Sequence, residues 1–192
     1  MLASAGVTRY DERTGAQETA KEVKGWRKLP LRPEVSEVFV EPTKRAYKSF
    51  HYKAKTTWSS ARRGALSAAE KPSIVVGSPP EFKGEPDVWA PEELLVGSLN
   101  TCMMLTFLTL AERQGLTPVG YESEAEGLLD NVEGKYRITE VTVRPRVILQ
   151  SETEFELARK SMESVEVHCF IANSINAKVR LTPEFVVAPL LK

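Results

Sequence analysis

Hydrophobic positions change period several times along the chain. Over residues 46–58, Phe50, Tyr52, Ala54, Thr56 and Trp58 share one parity while Lys53 and Lys55 take the other, which predicts a half-exposed strand. A short β-branched run at 73–77 (SIVVG) predicts another strand, and the following stretch with Pro79, Pro80, Gly84 and Pro86 predicts a loop. The apolar run at 94–111 contains no charge and follows Pro91, Glu92 and Glu93. Proline at the first position and carboxylates in the first turn are a helix start signal, and Gly115 with Pro118 supplies a stop. This predicts a helix of roughly 24 residues, about 36 Å long. Glu92, Glu93, Glu112 and Arg113 abut the run, and Gly97, Ser98, Asn100, Thr101, Thr106 and Thr109 interrupt it. It therefore reads as a buried central helix rather than a membrane span.

Alternation returns at 119–128 and again at 136–149 through Ile138, Val141, Val143 and Val147, with a turn between them at 130–134. Phe155, Ala158 and Met162 form a stripe that predicts a second helix over 152–165. A short helix is expected to open near Cys169, and a single strand to close the chain at 179–187. Strands, a buried helix, a hairpin, helices and a final strand indicate the α+β class. Residues 1–45 differ: they are charged, hold Pro30, Pro33 and Pro42, and lack sustained periodicity. They read as an N-terminal extension that lies on the domain or reaches a partner subunit, with 46–192 as the domain.

Composition narrows the function. The 192 residues carry 26 basic and 26 acidic side chains, a formal net charge of zero, which argues against nucleic acid as a partner. Two His and two Cys leave little material for a metal site. The polar N-terminal stretch has no apolar segment of signal-peptide type, so the expected location is cytoplasmic, where two cysteines are thiols rather than a structural bridge.

Cys102 falls inside the long helix. Cys169 is expected to open a helical segment, HCFIANSI, whose N–H groups would face its sulfur, with His168 beside it. A thiolate in such a setting has a depressed pKa, although free cysteine is also a common inert core residue.

The segments APEELLVGSLNTCMM, CFIANSI and TTWSSARRG together resemble the osmotically induced protein and organic hydroperoxide resistance (OsmC/Ohr) family. In that family a Pro-Glu-Glu/Gln-Leu segment opens a long apolar helix, with a cysteine ten residues after the first Glu. A second cysteine lies some sixty residues later, before a short Ser-containing helix. Pro91, Glu92, Glu93, Leu94, Cys102, Cys169 and Ser174 occupy those places. The resemblance implies an OsmC-like fold, with antiparallel sheets packed around long buried central helices in an intertwined homodimer. It also implies a peroxidase that reduces organic hydroperoxides. Cys102 would attack the O–O bond and become a sulfenic acid, and Cys169 would resolve it as a disulfide. An external dithiol, typically a lipoylated protein, would reduce that disulfide, and no bound cofactor is needed. An arginine of the basic turn, Arg62 or the adjacent Arg63, would stabilise the thiolate and be held by Glu92. Met103, Phe107 and Phe170, with Met104, would furnish an apolar substrate pocket.

The chain departs from peroxidase-type members in carrying Phe170 where they usually have Pro, and Ala90 where a capping side chain is expected, which marks a divergent branch. Ten residues of helix separate Glu92 from Cys102 by about 15 Å. Either the arginine bridges them, or Glu92 and the arginine approach Cys102 from a second subunit. The alternatives to a peroxidase are a non-catalytic protein of this fold binding an apolar small molecule, and a thioester hydrolase with Cys102 as nucleophile. For the hydrolase the sequence offers no obvious base.

Overall fold

The computed structural model describes residues 47–189. The 1–45 extension and its boundary with the domain lie outside the described residues.

Three short strands open the domain as an antiparallel sheet in the order β1 (Lys55–Ser60), β2 (Arg63–Ser67), β3 (Ile74–Gly77). The alternation from residue 46 does not form a strand until Lys55, and every residue of β1 is exposed. The reason is that, among the described residues, the aromatic parity has no surface to cover: Phe50, Tyr52 and Trp58 all face outward. The loop after β3 makes one 3₁₀ turn at Pro80–Phe82. It then returns beside β3, where Gly77 N–H donates to the Trp89 carbonyl at 3.1 Å.

Helix α1 spans Pro91–Arg113. Its start lacks a capping side chain at Ala90, and the Glu93 carboxylate accepts the Ala90 N–H instead, at 2.9 Å, one half of a capping box. Its end is set by Gly115 at φ +76°. Gly115 N–H donates to the Glu112 carbonyl and Leu116 N–H to the Ala111 carbonyl, a left-handed glycine closure.

A long hairpin follows, β4 (Gly120–Val132) and β5 (Lys135–Leu149). Glu133 and Gly134 both have positive φ in its two-residue turn, as the right-handed strand twist favours. On β5 the period-two pattern sends Val141, Val143, Val147 and Leu149 into the core and leaves Arg144 and Arg146 outside. There they pair with Glu126 and Glu122 of β4. Helices α2 (Phe155–Glu163) and α3 (Val165–His168) then cross back. That crossover makes the last strands, β6 (Lys178–Leu181) and β7 (Glu184–Val187), parallel to β5 on its second edge. The single closing strand expected from the pattern is thus two, divided at Thr182 and Pro183, where proline has no N–H for the ladder.

The core lies between α1 and the β4–β5 sheet, closed by α2 and α3. Leu99, Met103, Phe107 and Ala111, four residues apart, form the fully buried stripe of α1. By length and composition α1 is apolar enough to cross a membrane; here its buried stripe packs on the sheet, while Leu95, Leu105 and Leu108 on other faces stay exposed.

Candidate thiol site

Cys102 is three residues beyond Leu99 and one before Met103, which places it at the edge of the buried stripe, half-buried. A cavity of about 600 Å³ opens beside it, between α1 and the segment following α3. Leu105, Leu110, Phe170 and Ile171 make it largely apolar, and Thr106, Arg113 and His168 contribute its polar side. Thr106, one turn after Cys102, donates its hydroxyl to the Cys102 carbonyl at 2.8 Å. The His168 ring Nδ1 bonds the Ser164 carbonyl at 2.9 Å, an arrangement in which Nδ1 carries the proton.

Cys169 is fully buried and closes α3 instead of opening a helix. Its backbone is extended (φ −76°, ψ 115°), and the chain then turns through Phe170 and Ile171 into a 3₁₀ turn at Ala172–Ser174. The expectation that N–H groups would face its sulfur is met by one of them, since Ala172 N–H reaches Cys169 Sγ at 3.4 Å.

The two thiols influence one another, and their acidities diverge. Burial raises both. For Cys102, hydrogen bonds from the Ile171 N–H, the Cys169 thiol and the Phe170 N–H outweigh burial, and its pKa falls below the usual thiol value. For Cys169, burial dominates and the neighbouring Cys102 adds to it, pushing the pKa up to about 11. The pair therefore holds one sulfur prone to ionise and one kept as a thiol.

The other expected site residues are distributed differently. Phe170 lines the cavity and is 81% exposed, while Met103 and Phe107 are fully buried in the core and are not among the residues lining it. Both fall on the four-residue stripe of α1 that faces the sheet, the side away from the cavity. Within one chain Arg62, Glu92 and Cys102 are not brought together. Arg62 donates to the Phe82 carbonyl, and Arg63 pairs with Glu85 and Asp87. Glu92 faces a second cavity of about 370 Å³ with Trp89, Val96, Asn100 and Gly127, where one carboxylate oxygen is buried without a partner among the described residues. The physical reason is the rise of α1, which carries Glu92 about 15 Å from Cys102.

Sequence reasoning missed Thr106, Ile171 and Arg113. Thr106 was open to recognition from its i+4 spacing to Cys102, but Ile171 contributes through its backbone and has no side-chain signature.

Comparison with known proteins bears on this arrangement. The family described as "OsmC-like protein" matches residues 84–184, more than half of the chain and the stretch holding both cysteines. The uncharacterized protein YmaD of Bacillus subtilis (strain 168) is 27% identical over 139 residues, covering 70% of this chain and 92% of its own length. An OsmC-like protein of unknown function from Vibrio cholerae superposes with a TM-score of 0.65 at 25% identity, covering 70% of this chain and 99% of that one. An organic hydroperoxide resistance protein OsmC from Legionella pneumophila has the same fold, with a TM-score of 0.58 at 17% identity, covering 74% and 100%. With this match, the α+β architecture and the long apolar helix bearing Cys102, the chain belongs to the OsmC-like protein family.

Proposed function

We propose that this protein is a thiol-dependent peroxidase acting on organic hydroperoxides. The observation that carries the reading is the pairing of an acidified Cys102 with a buried Cys169 of high pKa beside an apolar cavity. The Cys102 thiolate attacks the distal oxygen of ROOH, forming S–O and breaking O–O. The alkoxide leaves as ROH after taking a proton, and Cys102 becomes a sulfenic acid. The Cys169 sulfur, losing its proton, then displaces the hydroxyl as water and forms the Cys102–Cys169 disulfide. A dithiol, with a lipoylated protein as the physiological donor, reduces it by exchange and is itself oxidised. Apolar walls suit an alkyl hydroperoxide better than hydrogen peroxide. No bound cofactor enters this cycle, and a reducing cytoplasm is the compartment it suits.

The working unit in this reading is a homodimer. The exposed leucines of α1 call for cover. The unpartnered oxygen of Glu92 calls for a cation, which Arg62 of a second copy would supply.

The test is turnover of cumene hydroperoxide with dihydrolipoamide as reductant. Expected are steady consumption by the wild type, background rates in Cys102→Ser, and at least about tenfold slower use of hydrogen peroxide. No consumption by fully reduced wild type would remove the peroxidase reading. Saturable binding of a fatty acid by that inactive protein would instead favour a non-catalytic use of the same cavity.

A further inference from the structure

The cavity beside Cys102 is a trough laid along one face of α1. Its helix-borne lining runs from Ser98 through Cys102, Leu105 and Thr109 to Arg113, and steps of three and four residues keep these positions on a single side of the helix. From Ser98 to Arg113 that face rises about 22 Å. Phe170 and Ile171 line the trough from the segment after α3. An elongated apolar space of about 600 Å³ suits an unbranched chain better than a compact molecule.

Its charge has one sign. The titratable or charged groups lining it are Cys102 and Arg113 of α1 and His168 of α3, and among the described residues no carboxylate lines it. Arg113 makes no ion pair among the described residues. Nor is its guanidinium needed to close the helix, because the Ala111 and Glu112 carbonyls accept the N–H groups of Gln114, Gly115 and Leu116. An uncommitted guanidinium at the end of an apolar wall is placed to receive a carboxylate, whose two oxygens match its fork of donors.

The spacing then selects a length. Arg113 stands eleven residues beyond Cys102, about 16 Å along the axis. Long side chains on a helix lean toward its N-terminus, which shortens the gap by several ångströms. An extended chain advances about 1.2 Å per atom, as an extended backbone does. Roughly ten to twelve atoms therefore separate an anion on Arg113 from an oxygen at Cys102 Sγ, and Leu105, Thr109 and Leu110 line the interval.

We propose that Arg113 is the head-group site of this trough: it holds the carboxylate of a long-chain fatty acid hydroperoxide and so sets which carbon brings its peroxide to Cys102. This deepens the peroxidase reading and rests on it for turnover, but the anchoring is measurable with an unreactive fatty acid.

The experiment uses the full chain and two positional isomers, arachidonic acid 12-hydroperoxide and 5-hydroperoxide. Each is supplied below its micellar range as the free acid and as the methyl ester, with dihydrolipoamide as reductant. The readout is the acid-to-ester ratio of kcat/KM within each protein, which cancels any general loss of activity. For the 12-hydroperoxide, Arg113→Gln is expected to lower that ratio about fivefold, the size of a partly exposed ion pair, through KM rather than kcat. Arg113→Lys, which keeps the charge without the fork, is expected to fall between the two. For the 5-hydroperoxide, too short to reach both groups, the ratio is expected to be the same in all three proteins. A ratio that Arg113→Gln leaves unchanged, or lowers equally for both isomers, would overturn the proposal. A second arm titrates the fluorescent cis-parinaric acid and its methyl ester into reduced wild type and Arg113→Gln. If wild type turns over neither hydroperoxide, tighter binding of the acid that is lost in Arg113→Gln keeps the anchor and retires the peroxidase. Acid and ester bound alike, or not at all, by that inactive protein would overturn both.

Discussion

Burial pushes the Cys102 and Cys169 thiols in the same direction, and hydrogen bonding separates them. The consequence is an order of reaction. Near neutral pH, alkylation followed by peptide mass spectrometry is expected to modify Cys102 well before Cys169, because the thiolate is the reactive form and Cys169 remains protonated up to about 11. A lowered pKa means the nucleophile is already ionised at a pH where a free thiol is not. Second-order consumption of cumene hydroperoxide should therefore rise with pH and level off below the usual thiol midpoint. A rate still climbing beyond that midpoint would mean that Cys102 is not the acidified sulfur. At this scale the sequence was informative about which residue types matter. It placed Cys102, Cys169 and Phe170 at one site, and it grouped Met103 and Phe107 with them because apolar side chains next to a cysteine look alike whichever face of the helix they occupy.

At the scale of elements, α1 carries apolar side chains on more than one face, and its contacts decide which face is core. Phe107 is fully buried against the sheet, with its ring 5.8 Å from that of Tyr121. Phe107→Ala should cost about 3–5 kcal/mol in urea unfolding. Gly127 of β4 packs closely under α1, since a Cβ there would lie 2.6 Å from Val96 Cγ2. Valine is stiff at χ1, so Gly127→Ala should destabilise by about 1–3 kcal/mol through overpacking, measured the same way. The limits of α1 were legible because proline, glutamates and glycine act within one turn of where they stand. The hairpin was legible because β5 alternates cleanly. The first strand was not, because the aromatic parity around Phe50 and Tyr52 has nothing among the described residues to face. The closing strand was not, because the break at Thr182 and Pro183 depends on how β6 and β7 register along β5.

For the whole molecule, the open leucines of α1 and the orphaned Glu92 oxygen lead to the same expectation of a second copy. Leu108 is 36% exposed and does not line the thiol cavity. Leu108→Glu should shift the protein to monomer in sedimentation velocity and reduce hydroperoxide turnover, while Cys102 alkylation stays close to wild type. A fully dimeric variant would mean that another surface assembles the molecule. The proposed partnership of Arg62, Glu92 and Cys102 is the least legible part of the site, because helical rise separates Glu92 from Cys102 and no local pattern records whether a second chain supplies an arginine.

The proposed cycle requires a bond between the two sulfurs, and mass spectrometry of the reduced protein after one equivalent of cumene hydroperoxide reads it. The expected result is a Cys102–Cys169 disulfide, lost in Cys102→Ser and replaced by a trapped sulfenic acid on Cys102 in Cys169→Ser. Two intact thiols after prolonged exposure, or oxidation confined to Cys169, would contradict it.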